Sequence, residues 1–339
     1  MDQRAGREAR LSGPFFEELH RWTTSQYPLL VRRFSAMVKR AGAAGHQMSP
    51  FCFADPARPD TLPFPHCETF NLERELTTLV ESILRAGAKV REMVKVGFDV
   101  QTKSDRSPVT AVDHEVNRIL HEMQEREFPL DGWLSEESPD NPVRLTSQRV
   151  WIVDPIDGTK ALVNRIPEFC ISVALIERGI PVVAAILNPS TDELFTAVRG
   201  DGLFLNGARI TPSPAYDTKP SILVNAWEFR IGRWSTLAET TQCRPMHSIA
   251  NALALVASGR VRAALTIEAL NEWDLAAGVL LIEESGGGVT DADGKPFVFN
   301  QPTPRFRGAI AAADKNLHAS LQTHAGRAGS TSDRKQAVP

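Results

Sequence analysis

The chain has 339 residues, 42% apolar and 23% charged, with a net charge of -3. That length supports two ordinary domains or one large layered body, and the charge balance lacks the basic excess of a nucleic-acid binder, so an anionic ligand is left to local charges or to metal. No run approaches the roughly 18 uninterrupted apolar residues of a membrane span and the N-terminus lacks the apolar core of a signal peptide, so the expected address is cytoplasmic, with no membrane contact.

Residues 1 to about 70 are Arg-rich at first and then broken by Ser49-Pro50, Asp55-Pro56, Arg58-Pro59 and Leu62-Pro63-Phe64-Pro65. They are expected to form an extension outside the catalytic fold, although Phe15, Phe16, Leu19 and Trp22 have the spacing of a short helix. From Asn71 the pattern sharpens: Leu72, Leu76, Leu79, Val80, Ile83, Leu84 and Val90 predict a long amphipathic helix. A second helix is expected after Pro108, where Thr110-Ala111-Val112-Asp113 has capping-box spacing and Val112, Val116, Ile119, Leu120 and Met123 form an apolar stripe. Trp133-Leu134-Ser135 and Val150-Trp151-Ile152-Val153 read as strands, each ending in acidic residues. Strand ends are where layered α/β proteins place reactive groups. Two more strands from Phe169 onward turn at Arg178-Gly179-Ile180-Pro181, and a further turn falls near Asn188-Pro189. Beyond Gly207, strands at 222–224 and 263–267 alternate with helices near 248–258 and 275–285, the last closed by Gly286-Gly287-Gly288. A layered α/β or α+β catalytic body over 71–322 is expected, with a polar tail over 323–339. The cysteines, Cys52, Cys67, Cys170 and Cys243, show no paired spacing and read as reduced thiols.

Three groups of acids carry candidate chemistry. In Asp154-Pro155-Ile156-Asp157-Gly158-Thr159 the strand is expected to stop at Asp154, since Pro155 has no ladder donor and Gly158 allows a tight turn. Asp154 and Asp157 can then converge with the Ile156 carbonyl on a hard cation such as Mg²⁺, and the N–H groups of Gly158 and Thr159 can cradle phosphate. The plain alternative is a capped turn followed by an ordinary Asp-Gly loop. After the strand at 133–135 come Glu136 and Glu137, of which one at most can face a given ligand; Glu136 is the choice, against a solvated loop. Asp274, in Asn271-Glu272-Trp273-Asp274-Leu275-Ala276-Ala277-Gly278, precedes an apolar helical run and would serve equally as a plain N-cap.

Taken together and in this order, Glu136-Glu137, Asp154-Pro155-Ile156-Asp157-Gly158-Thr159 and Trp273-Asp274-Leu275-Ala276-Ala277-Gly278 resemble the signature of the lithium-sensitive, Mg²⁺-dependent inositol monophosphatase superfamily, over about residues 71 to 320. The resemblance implies a layered αβαβα sandwich of the inositol monophosphatase and fructose-1,6-bisphosphatase type. It implies metal ligation by Glu136, Asp154, the Ile156 carbonyl, Asp157 and Asp274, with two or three Mg²⁺ ions, and water activation by Asp113 with Thr159 and Glu136. Gly158, Thr159, Lys160, His247 and Ser248 are the implied substrate contacts. Metal held by acids neutralises phosphate charge and lowers the pKa of water, so no covalent phosphoenzyme is needed; Cys170 is expected in the core. The implied partner is a small phosphorylated metabolite, not a nucleic-acid polymer, and the superfamily's habit is compatible with a homodimer.

Several features resemble the 3'(2'),5'-bisphosphate nucleotidase branch, which acts on adenosine 3',5'-bisphosphate. They are the segment from Lys103 through Ser107-Pro108-Val109-Thr110 to Asp113, Leu134-Ser135-Glu136-Glu137, Lys160 after Gly158-Thr159, Glu168-Phe169, and Glu272 before Trp273-Asp274. That branch is the first expectation for substrate. Inositol-1-monophosphatase and histidinol-phosphatase are the alternatives, Glu268 fitting the inositol pattern only with a one-residue shift. His247-Ser248 departs from the superfamily's usual Gly-Ser or Gly-Thr, and Arg244 and Lys103 are further candidates for phosphate. A catalytically inactive regulatory homologue is the reading from another class; it would be marked by lost ligands, and every implied acid is present.

Overall fold

Apolar residues at helical spacing fold the first described segment into helix α1 (Glu73–Val96), with Leu76, Leu79, Val80, Ile83, Leu84 and Val90 buried. The computed structural model describes residues 72–103, 107–212 and 220–335, with side chains to residue 325. The expected extension over 1–70, Cys52, Cys67 and the Ser104, Asp105 and Arg106 positions of the nucleotidase-like segment lie outside the described residues. Strands β1 (Val100–Thr102) and β2 (Pro108–Thr110) pair antiparallel and lead into helix α2 (Ala111–Glu127). The capping box forms as expected: Val112 N donates to Thr110 Oγ1 at 3.1 Å, and Thr110 N donates to Asp113 Oδ2 at 2.8 Å.

Seven strands then hydrogen-bond in chain order: β3 (Gly132–Ser135), β4 (Arg149–Asp157), β5 (Cys170–Glu177), β6 (Ile180–Asn188), β7 (Glu193–Val198), β8 (Gly202–Leu205) and β9 (Ala208–Arg209). Helix α3 (Thr159–Val163) lies between β4 and β5. Strands β3 and β4 run parallel, and the rest form the antiparallel meander that the sequence predicts. The remaining elements are β10 (Ser221–Asn225), α4 (Ala226–Arg230), α5 (Ser235–Thr240), β11 (Gln242–Met246), α6 (Ile249–Ala257), β12 (Ala263–Asn271), α7 (Glu272–Glu284), β13 (Gly288–Thr290), β14 (Arg305–Ala312) and α8 (Lys315–Lys335). Their strands form a second sheet of order β11-β10-β12-β14-β13, in which β10 is parallel to both neighbours.

Alternation along the strands sorts the core into layers. Trp151 and Val153 of β4, with Ile171, Val173 and Val183, pack against α1 and α2. Val150 and Ile152, with Ala174, Ala184 and Ile186, face α6 and α7. Those two helices also cover the inner face of the second sheet through Leu223, Ala264, Ala309 and Ala311. Ile222, Val224, Leu265 and Ile310 on its outer face pack against Trp234, Leu237 of α5, and Leu321 and Ala325 of α8. The architecture is therefore an αβαβα sandwich, as expected. Its central strands read as continuous apolar runs because helices cover both faces of the sheet.

Three local expectations are corrected. Strand β4 does not stop at Asp154 but runs to Asp157, with a shift of register between the two; Pro155 sits at that irregularity, where a missing ladder donor costs nothing. Helix α7 begins at Glu272, so Asp274 is its third residue and not its cap. Helix α8 continues through the segment set apart as a tail, because Leu321 and Ala325 are buried on the second sheet.

Candidate active site

The implied residues come from elements far apart in the chain, and four of those elements present helix N-termini. Asp154, Ile156 and Asp157 end β4, and Gly158 follows at φ 90° and ψ 35° as the cap of α3. A side chain at Gly158 would put its Cβ 3.0 Å from the Glu168 carbonyl oxygen, 3.0 Å from Ser248 Cβ and 3.3 Å from the His247 carbonyl oxygen. Glycine is thus required both by backbone conformation and by close approach. Asp274 accepts from Asn271 N at 2.6 Å in the first turn of α7. Single carboxylate oxygens of Asp154, Asp157 and Asp274 lie within 4.8 Å of one another.

Three carboxylates so close, and mostly buried, oppose one another's ionisation. Burial is the largest cause and holds Asp154 well above the usual carboxylate range, reinforced by the charges of Glu136, Asp157 and Asp274. Asp274 is pushed up in the same way, by burial and then by Asp157. Asp157 is pushed up to about 6 by burial, although hydrogen bonds from Ser248 Oγ and Ala250 N, both 2.6 Å from Oδ2, pull the other way. Asp154 Oδ1 is buried with no hydrogen-bond partner among the described residues. An orphaned buried oxygen beside two further carboxylates is the donor set of a hard cation, so these residues fit Mg²⁺.

Beside the cluster, Asp113 is buried in the first turn of α2. Thr110 N and Thr110 Oγ1 donate to its Oδ2 at 2.8 and 2.5 Å, which leaves Oδ1 3.0 Å from Thr159 Oγ1. Thr159 Oγ1 is also 3.0 Å from the Ile156 carbonyl oxygen, so its one proton serves either acceptor. Burial raises the Asp113 pKa against the hydrogen bonds from Thr110 and Thr159. A carboxylate oriented by one threonine and aimed at the hydroxyl of another can position a water and take its proton.

Glu136 stands outside the group of three, yet near enough for its charge to raise the pKa values of Asp154, Asp157 and Asp274. Lys103 Nζ donates to Glu136 Oε1 at 2.8 Å and to Glu137 Oε1 at 2.6 Å. Burial is the largest single cause and opposes the Lys103 charge, but the two bonds and the charges of Glu136 and Glu137 together outweigh it and raise the pKa. Lys160 is exposed on α3 and Arg244 is exposed on edge strand β11. His247 Nδ1 is 2.7 Å from Glu168 Oε2, and Ser248, buried, caps α6. Cys170 is buried, as expected, and burial pushes its thiol pKa up.

Sequence reasoning missed the first turn of α6, where Ser248 and Ala250 N hold Asp157, although a serine before the apolar run Ile249–Ala257 is an N-cap signal. It also counted Glu272 among the features that resemble the nucleotidase branch. Glu272 is buried, and its two oxygens accept from Asn300 N at 2.7 Å and Gln301 N at 2.8 Å, fastening a distant loop. Glu268 binds Arg233 Nη1 at 2.6 Å.

Residues 71–329 match the model of the inositol monophosphatase family. An inositol-1-monophosphatase of Rhizobium meliloti is 35% identical over 230 residues, 65% of this chain and 86% of that protein. The inositol-1-monophosphatase of Bacillus subtilis is 32% identical over 248 residues, 70% and 91% of the two chains, and the Nus factor SuhB of Escherichia coli is 33% identical over 227 residues, 62% and 84%. Among solved structures, an IMPase of Thermotoga maritima superposes with a TM-score of 0.68 at 26% identity, covering 76% of this chain and 99% of that one. The extragenic suppressor protein suhB of Bartonella henselae gives 0.67 at 28%, covering 74% and 98%. The family is Mg²⁺-dependent, and a fold neighbour at 24% identity, an IMPase/NADP phosphatase, is complexed with Mg²⁺ and phosphate. No described helix is long and apolar enough to cross a membrane. The match over most of the chain, on this fold and with these acids at its centre, places the protein in the inositol monophosphatase family, as a phosphoric monoester hydrolase.

Proposed function

We propose that this chain hydrolyses a small polyol monophosphate of the inositol 1-phosphate kind, using Mg²⁺ held by Asp154, Asp157 and Asp274 with the Ile156 carbonyl and Glu136 beside them. The observation that carries the reading is the orphaned Asp154 oxygen within a group of three carboxylates, next to the Asp113–Thr159 pair. Mg²⁺ bound there supplies positive charge against the phosphate and lowers the pKa of a water. Asp113, with Thr159, orients that water and accepts its proton. The N–H groups at the start of α3 face the charge of the phosphate, and Gly158 lets the backbone approach closely.

Two relatives named inositol-1-monophosphatase favour inositol phosphate over the nucleotide. Contacts inside the protein reinforce that choice. Lys103 is engaged by Glu136 and Glu137, Glu168 by His247, and Glu272 by the backbone at 300 and 301, so three features that lean toward the bisphosphate nucleotidase have structural uses. Exposed Lys160 keeps the nucleotidase as the second reading. The Nus factor name of one relative describes no hydrolysis, but this chain keeps every acid that the resemblance implies for it.

The test is phosphate release from inositol 1-phosphate, adenosine 3',5'-bisphosphate and histidinol phosphate at one Mg²⁺ concentration, with Asp154→Asn as the control. Inositol 1-phosphate is expected to give the highest kcat/KM, and Asp154→Asn to abolish release. A higher value for the bisphosphate transfers the assignment to the second reading. No release from any ester would sink the catalytic reading.

A further inference from the structure

Ser248 occupies a place where the resemblance implies a substrate contact, but its hydroxyl is turned inward. The residue is 3% exposed, its Oγ donates to Asp157 Oδ2 at 2.6 Å, and the same Oγ accepts from Asn251 N at 3.0 Å. A serine hydroxyl has one proton, and this one is given to Asp157, so it is not available to a phosphate oxygen. Ala250 N donates to the same carboxylate oxygen at 2.6 Å. Both donors come from the N-terminus of α6, Ser248 as its cap and Ala250 in its first turn. Two short charge-assisted bonds on Oδ2, with the backbone of Ile249 also bonding the carboxylate, fix its orientation while one of its oxygens lies within the cluster.

We propose that Ser248 is a positioning residue for Mg²⁺: by occupying Oδ2 it makes Asp157 a one-oxygen ligand of fixed orientation, so that metal affinity, and not substrate contact, depends on it. This rests on the reading of the three carboxylates as a Mg²⁺ site. The surroundings are built to hold Ser248 still. On one side, the His247 and Glu168 side chains pair across Gly158, and their carbonyl oxygens close on that glycine. On the other, α6 is pressed against α7, where Leu253 leaves no room for a side chain at Gly278. Helix α7 carries Asp274, so one helix pair sets the positions of two of the three carboxylates. A movement of α6 that loosened Ser248 would therefore disturb both.

The experiment separates this role from a plain N-cap and from a substrate contact. Ser248→Gly removes the hydroxyl but keeps an acceptable cap, Ser248→Ala removes both, and Ser248→Thr keeps both. Mg²⁺ dissociation constants are measured by calorimetry on the full chain, with thermal unfolding in EDTA as the index of capping. Loss of one partner of a metal ligand typically weakens affinity about 10- to 100-fold, and because Ala250 N remains, the lower end, about tenfold, is expected for Gly and Ala alike. Thr restores wild-type affinity, and Ala alone lowers the unfolding temperature in EDTA. Affinities for Gly and Ala within about threefold of wild type would overturn the proposal. So would an unchanged Mg²⁺ affinity with a raised KM for inositol 1-phosphate, which would make Ser248 a substrate contact after all. A wild-type protein that binds no Mg²⁺ overturns the metal reading underneath, and the proposal with it.

Discussion

Two helical glycines separate packing that yields from packing that does not. A Cβ at Gly87 in α1 would lie 2.4 Å from Leu187 Cδ2, with the next atom, Leu187 Cγ, at 3.5 Å. A Cβ at Gly278 in α7 would also lie 2.4 Å from a leucine methyl, Leu253 Cδ1, but in addition 2.6 Å from Leu253 Cβ and 3.0 Å from its Cγ. Either Gly→Ala change gains about 1 kcal/mol of helix propensity. At Gly87 the clash is with the far end of one side chain, and turning it off its rotamer costs about 0.5–1.5 kcal/mol, so the two terms nearly cancel. At Gly278 the obstructing Cβ is fixed to the backbone of α6, and relief requires the helices to separate. Overpacking that shifts backbone costs about 1–3 kcal/mol, and contact with a Cβ puts this site at the upper end, for a net loss of about 2 kcal/mol once the propensity gain is subtracted. For a body of this size each kcal/mol lowers Tm by roughly 2–4 °C. Thermal unfolding of the two variants should therefore show a drop of several degrees for Gly278→Ala and little change for Gly87→Ala. Gly278 lies one helical turn beyond Asp274, so Mg²⁺ affinity should weaken in the first variant only. Equal shifts in Tm, or a stabilised Gly278→Ala, would refute the claim that backbone-fixed contact sets the α6–α7 distance.

Asp113→Asn is expected to lower kcat by about 10²–10⁴ while leaving Mg²⁺ affinity close to wild type, since Asp113 lies outside the three-carboxylate group; a parallel loss of metal binding would refute its assignment to the water. Metal and protons should compete. Asp157 is raised to about 6 in the folded protein, so the metal-free fold takes up protons, is favoured below about pH 4, and loses that contribution as pH climbs through about 6. The shift corresponds to roughly 3 kcal/mol, and Asp154 and Asp274 act in the same direction. The Tm gap between Mg²⁺-loaded and EDTA-treated protein should widen from pH 4 to pH 7, and a gap that narrows would contradict the charge reading. Glu272→Gln replaces one of two acceptors by a donor facing a backbone N–H; a loss of about 1–3 kcal/mol in urea unfolding is expected, with the ratio of kcat/KM between inositol 1-phosphate and adenosine 3',5'-bisphosphate unchanged. A changed ratio would give Glu272 a part in substrate choice.

The parts of this fold that were legible in the sequence are those whose causes are local. Helix α1 is written in the spacing of Leu76, Leu79, Val80, Ile83 and Leu84, and the start of α2 in Thr110 and Asp113, because periodicity and capping act within one or two turns. The end of β4 was misjudged for the complementary reason. Pro155 forbids a ladder bond wherever it stands, but whether a bond was required there depends on the register with β5, and that register shifts between Asp154 and Asp157. Helices α4 and α5, of five and six residues, are too short to show a period at all. Charges were the least legible. Lys103 read as a candidate phosphate contact, and Glu168 and Glu272 as features of the nucleotidase branch, because a charge announces that it has a partner without saying where. The partners lie 33, 79 and 28 residues away.

The acids of the candidate site escape that ambiguity because they crowd together with more charge than their hydrogen bonds offset, and this links the fold to the proposed chemistry. Asp113 and Asp274 are each the third residue of a helix, Asp157 accepts from the first turn of another, and Asp154 sits at the irregularity in β4. Helix N-termini favour a negative charge, typically by about 0.3–1 kcal/mol and up to about 2 where partly buried. That is enough to hold one buried carboxylate but not to offset the mutual repulsion of three, which is why burial and neighbouring charge still raise Asp154 and Asp274. A fold selected for stability alone would have replaced one of these acids by a neutral residue, and the orphaned Asp154 oxygen is where the deficit is most exposed. The sandwich thus maintains an excess of negative charge at the ends of its strands and helices, and that excess is what the proposed Mg²⁺ site draws on.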